Sequence, residues 1–314
     1  MTQIRIVSIT AIILTVSFAT AADIAFDINE TSLDINIEGD HFATYVWKDD
    51  LIPRPYFRQV MAPNGNQVTR RYPTDPVLNK NNDDHATYHP GIWLAFGDIN
   101  GQDFWRNKAE VRHVRFGSQP VSDSSIANFR VLISYESEGG TECYETCAYE
   151  IRVLPFGYLL TATSNFYFPD ADFAFGDQEE MGLGIRLATA LTVRHGNGKI
   201  LNSEDGINEK GTWGKQADWC AYSGVIDGQT TGAMLIPHGG NFRKSWYHSR
   251  DYGLLTANPF GKKAMTAPND QSVENDSTLV RKGETLTVGF SILLFGKDIN
   301  YDEAYNEVLK ILQK

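Results

Sequence analysis

Leu286, Val288, Phe290, Ile292 and Leu294 occupy every second position of one stretch near the end of the chain. Residues two apart share a face only on an extended strand, so a period of two sustained this long demands a β-strand with one buried face. Leu33, Ile35 and Ile37 repeat the pattern against Asp34 and Asn36. Residues 42–47, 128–135, 149–154, 159–168, 184–193 and 231–237 read as further strands, punctuated by Gly, Asn and Asp. Asn64-Gly65 is a tight-turn signal that predicts a hairpin between Tyr56 and Arg70. Residues 79–84 and 266–278 read as surface loops. Only residues 302–313 read as helix, with Asp302 as N-cap or first-turn acid. Strands without βα alternation predict an all-β fold: a large antiparallel β-sandwich with a C-terminal helix.

The first residues read as an export signal: Arg5, an apolar run over residues 6–18, then Ala19-Thr20-Ala21. The run falls short of the ~20 residues that span a bilayer. Residues 1–21 are therefore expected to be removed, leaving residues 22–314 as one sandwich domain, periplasmic or secreted, with no integral membrane segment. A net charge of −11 argues against nucleic acid as a partner. Cys143 and Cys147, two of three cysteines, could close a small loop as a disulfide at a hairpin tip, with a metal pair as the alternative. Cys220 reads as a buried thiol.

Four of the seven histidines fall in two dense runs. Asp83-Asp84-His85 continues through His89-Pro90-Gly91 to Trp93, with Trp105 beyond. The second run holds His238, then Trp246, His248, Arg250, Asp251 and Tyr252. Histidine is the side chain most readily used as acid, base or metal ligand near neutral pH. His85, His89, His238 and His248 are the proton-shuttle candidates, with Glu180 or Asp251 as carboxylate partner. Arg70 and Arg250 are candidate substrate anchors, Trp93 or Trp105 a stacking wall, and Tyr252 a pocket wall. No P-loop, Rossmann glycine pattern or Gly-x-Ser-x-Gly elbow is present.

Taken in order, Arg54-Pro55-Tyr56-Phe57, the histidine run, Gly97-Asp98-Ile99-Asn100-Gly101, Glu180-Met181-Gly182, Trp219-Cys220-Ala221-Tyr222 and Arg250-Asp251-Tyr252-Gly253 with Asn258-Pro259-Phe260 carry a family likeness. The set resembles the exported bacterial proteins labelled "methane oxygenase PmoA", a DUF6807-type family of unknown function. The family tends to have more histidines between positions 85 and 93, where this chain has Ala86, Thr87 and Tyr88. The resemblance implies a polysaccharide-utilisation role, and its β pattern is similar to the galactose-mutarotase-like supersandwich. The expected function is thus a carbohydrate-active hydrolase, lyase or epimerase acting on a glycan fragment or other small molecule through His and carboxylate chemistry. No cofactor is expected. The rivals are a non-catalytic sugar-binding module and a metalloenzyme whose histidines hold a divalent metal.

Overall fold

The computed structural model describes residues 22–313, so the export signal read in residues 1–21 lies outside them. Two eight-stranded antiparallel sheets carry the fold. The first joins, in spatial order, Ile24–Ile28, Ser32–Ile37, Asp40–Val46, Tyr56–Arg58, Ile92–Phe96, Met181–Arg186, Leu254–Asn258 and Trp246–Arg250. The second joins Lys199–Asn202, Cys220–Ile226, Gln229–Pro237, Thr285–Phe295, Gly157–Tyr167, Gly140–Leu154, Ile126–Ser137 and Glu110–Asp123. Leu33, Ile35 and Ile37 from the first sheet and Val288, Phe290, Ile292 and Leu294 from the second belong to one buried apolar cluster. The two alternating runs thus form facing sides of one core, as the period of two required.

The alternation in Thr285–Phe295 fades after Ile292 for a physical reason. Leu293 and Phe295 point the other way and pack with Ala304 and Val308 of the C-terminal helix, Tyr301–Leu312. There the strand is buried on both faces and reads as continuously apolar. The helix is capped by Asn300, whose side chain accepts from the N–H groups of Asp302 and Glu303, and Asp302 takes the second of the two roles read for it, a first-turn acid. No helix among the described residues is long and apolar enough to cross a membrane.

Three other expectations are corrected. The strand expected over residues 184–193 ends at Arg186, and a 3-10 turn follows at Thr189–Leu191. Residues 79–84 are not a plain surface loop: Asn79 and Asn82 are buried and both donate to the Thr189 hydroxyl. Cys143 and Cys147 are free, buried, and in the middle of a strand. Four strand residues separate side chains by roughly 13 Å, well beyond disulfide reach. Cys220 is a buried free thiol. Around Asn64-Gly65 the chain does turn back on itself, with Met61 bridged to Gln67.

Candidate functional site

The outer face of the first sheet has a central row running Trp93, Gly184, Thr256, His248 across four paired strands. Gly184 lets the Trp93 indole lie flat across the sheet: a Cβ added there would sit 2.8 Å from the ring. Gly184→Ala is therefore expected to lower stability by about 1–3 kcal/mol through overpacking, measurable by urea unfolding. Above the row, Trp93 and Trp105 join Val46, Ile52, Tyr56, Tyr72 and Leu254 in a small apolar cluster. The loop carrying Asp83 to His89 lies over that cluster.

Charge, more than apolar packing, clasps this loop. Three buried arginines reach it from below. Arg70 donates to the carbonyl oxygens of Asn82 (2.8 Å), Asp84 (2.7 Å) and His89 (3.2 Å). Arg54 donates to the carbonyls of Trp105 (2.6 Å) and Tyr88 and to the Asn107 side chain (2.8 Å). Arg186, fully buried, donates to the side chains of Asn82 and Asp84, both at 2.6 Å, and lies over the Tyr252 ring. Burial draws the Arg54 and Arg70 pKa values down to about 9, so both remain charged at neutral pH.

The loop ends in a stack of rings. His89 packs on Trp93 with ring centroids 5.2 Å apart, and His85 packs on His89 at 5.3 Å. His89 is buried and flanked by two donors, the Trp105 indole N–H at Nε2 and Arg186 at Nδ1, each at 3.4 Å. A neutral imidazole offers one acceptor, so only one of these is a full hydrogen bond. Burial, reinforced by Arg186 and the other nearby cations, holds the His89 pKa well below the usual value. His89 is thus a neutral, enclosed spacer.

His85 stands at the solvent end of the stack, with half its side chain exposed. Its Nδ1–H donates to Asp84 Oδ2 at 2.6 Å. Burial raises the Asp84 pKa, but Arg186 and the hydrogen bonds from His85 and Arg186 outweigh it and keep the carboxylate ionised. The Arg186–Asp84–His85 chain therefore fixes the imidazole tautomer, leaving Nε2 free. A carboxylate orienting a histidine in this way is the arrangement that general acid–base chemistry requires. His85 is held at φ +50°, in the left-handed region that non-glycine residues rarely occupy.

Glu180 lies within electrostatic range of His85. Burial raises its pKa, opposed by the ion pair with Arg106. Tyr252 lies near as well: Asp84 and Glu180 both act on its hydroxyl, whose pKa burial pushes up to about 12. A polar cleft of about 410 Å³ opens at Arg106, the ion-pair partner of Glu180, lined also by Gln178, Glu179, Lys263 and Asn275; His85, Asp84, Glu180 and Tyr252 are not among its walls.

The remaining sequence candidates sit elsewhere or are already occupied. Trp93 and Trp105 are buried, so neither ring offers a stacking wall. Arg70 spends its guanidinium on loop carbonyls and reaches no open space. His248 is buried, with Nδ1–H donating to the Glu179 carbonyl at 3.2 Å and Nε2 accepting from Arg250 Nε at 2.9 Å. Burial, then the charge of Arg250, lowers its pKa to about 3, which leaves it a neutral bracing group. Arg250 is further tied to Glu209 at 2.9 Å. Asp251 accepts from the Glu209 backbone N–H and so anchors the Asn208–Thr212 helix instead of serving a histidine. His238 directly follows the second-sheet strand Gln229–Pro237 and is bonded through Nε2 to Ser291 Oγ at 2.9 Å. Of the second run Tyr252 therefore reaches the His85 site, whereas its two histidines, His238 and His248, are bound to other partners. Among the described residues, no group of three or more His, Cys, Asp or Glu side chains could hold a metal ion.

The DUF6807 model, described as a family of unknown function, matches residues 32–308. The chain belongs to that family. The match takes in both main sheets apart from the edge strand Ile24–Ile28, and every residue of the His85 site, in agreement with the motif resemblance. No curated protein matches the DUF6807 chain in sequence. Among solved structures it is similar to a galactose mutarotase-like protein from Lactobacillus casei ATCC 334, at 8% identity and TM-score 0.39, over 87% of this chain and 100% of that one. It is also similar to a galactose mutarotase-like protein from Clostridium acetobutylicum, at 12% identity and TM-score 0.39, over 89% and 99%.

Proposed function

We propose that this DUF6807 protein is an exported carbohydrate-active enzyme, a hydrolase, lyase or epimerase, with His85 and Glu180 as its acid–base pair. The observation that carries this reading is the Arg186–Asp84–His85 chain, which leaves one imidazole nitrogen free at the surface near a carboxyl group whose pKa burial raises. A carboxyl group whose pKa burial raises is what acid–base catalysis uses. The polar cleft at Arg106, the ion-pair partner of Glu180, is lined mainly by directed donors and acceptors. Such a lining favours a substrate rich in hydroxyl groups, such as a glycan fragment. His85 would exchange the proton through Nε2 while Asp84 stabilises the imidazolium. Glu180 would take the complementary role, and Tyr252 would donate from its hydroxyl.

The test is a product screen of the purified protein against plant and algal oligosaccharides. Mass spectrometry would detect cleavage, and proton NMR would detect mass-neutral epimerisation. His85→Ala and Glu180→Gln are each expected to lower turnover by about a hundredfold or more. His85→Gly should do the same while keeping or slightly raising stability, since glycine removes the left-handed strain. Full turnover by both His85 variants would sink the assignment. Turnover abolished by a chelator would move the reading to metal chemistry. Binding without turnover would favour a sugar-binding module.

A further inference from the structure

On the outer face of the second sheet, aligned rungs run across five strands. Thr287, Asn165, Thr146, Leu132 and Arg115 form one, and Gly289, Thr163, Ala148, Arg130 and Ser118 form the next. Beyond the C-terminal helix this face carries an open groove of about 420 Å³ with Thr146, Thr163, Asn165 and Tyr167 along it and Arg115 and Arg130 at one side. Outside the groove, farther along the second rung, the His238 ring lies over Gly289, where an added Cβ would meet it at 2.1 Å. Three strand spacings separate Arg130 from Gly289, roughly 14 Å.

A polar outer face is ordinary for an antiparallel sheet. The cations are not. Arg112 and Arg152 on the same face are paired with Glu110 and Glu150. Arg115 and Arg130 form no ion pair among the described residues; Arg115 makes only a long contact to the Phe116 carbonyl. They are diagonal neighbours, Arg115 opposite Leu132 and Arg130 two residues before it. Diagonal neighbours lie within reach of long side chains, so two guanidiniums placed in this way can share one anion. Two unpaired cations stand side by side on a chain whose net charge is −11.

We infer that this groove is a docking surface for an acidic oligosaccharide, separate from the His85 site. Uronate carboxylates would bind Arg115 and Arg130. Sugar hydroxyls would meet the Thr146 and Thr163 hydroxyls and the Asn165 amide, whose oxygen already accepts from Thr287 Oγ1 and whose NH₂ stays free to donate. Tyr167, with Tyr144 beside it at 5.8 Å, supplies a ring edge for the sugar's C–H surface. The inference does not depend on the chemistry proposed for His85.

Calorimetric titration with tetragalacturonate at low salt, and with cellotetraose as the uncharged counterpart, tests it. The intact protein is expected to bind the uronate and not cellotetraose. The double variant R115Q/R130Q should bind at least about tenfold more weakly, and His85→Gly should bind like the parent. Equal binding by R115Q/R130Q, equal affinity for cellotetraose, or no binding to the parent would each overturn the proposal. So would loss of binding in His85→Gly, which would put the ligand on the first sheet. Turnover without groove binding would leave the catalytic reading standing and remove only this one.

Discussion

Replacing Arg186 with leucine is expected to cost about 3 kcal/mol of stability and to release the histidine loop. The guanidinium is fully buried, gives two hydrogen bonds of 2.6 Å to Asn82 and Asp84, and covers the Tyr252 ring at 4.4 Å. Removing one member of a buried charged network typically costs 3–5 kcal/mol, because the partners lose compensation. Two effects place this case at the low end. Asp84 is 42% exposed and can rehydrate, and Arg70 would be freed from the like charge of Arg186. Guanidinium chloride unfolding would give the loss, and amide exchange across residues 79–89 would report the released loop. Arg152→Leu, at a part-exposed pair with Glu150, is the control and should cost no more than about 1 kcal/mol. If Arg186→Leu costs no more than that control, the clasp is not what holds the loop.

The second large effect is a pH dependence set by Glu145. Its side chain is buried between the sheets, where it accepts from Tyr135 Oη at 2.8 Å and Ser164 Oγ at 2.5 Å. No cation among the described residues compensates it. Burial raises its pKa to about 7, against which the two hydroxyls and Cys147 act only in part. The folded-state pKa lies above the unfolded one, so the associated stability is fully present below about pH 4.5. It is lost as pH rises through 7. The difference corresponds to about 3 kcal/mol at 1.36 kcal/mol per pKa unit. Glu145→Gln removes this dependence. Urea unfolding at pH 5, 6, 7 and 8 should show the parent losing stability relative to the variant by about that amount. A constant difference across the series would mean that Glu145 does not titrate in the fold.

The fold was legible where a single physical cause set the pattern. Leu33, Ile35 and Ile37 alternate because one face meets the core and the other does not. Leu293 and Phe295 broke the pattern because a helix covers their face, a tertiary fact that no local window contains. The site was less legible. His85 was singled out from the acids and aromatics around it and Glu180 because it directly precedes the apolar, glycine-flanked start of a strand, but Asp84 entered only as a neighbour. Arg54 and Arg186 were not singled out as site residues, because their partners are distant loop groups. One signal was available for Arg186: it shares a strand face with Gly182 and Gly184, opposite Leu183 and Ile185. A charge on the glycine side of an apolar strand marks something lying on that face. His248 and Arg250 are two apart on one strand, hence on one face, and that spacing already implied that they could bind each other instead of a substrate.

The histidine loop and the polar groove lie on the two outward surfaces of the sandwich, pointing in opposite directions. A polymer strand gripped at the back cannot also be threaded past His85 on the same molecule without wrapping around its edge. On the two proposals made above, the molecule would hold one acidic glycan at its back while it acts on a separate fragment at His85. Its reach would then be set by how close the two glycans lie, and not by progress along one of them.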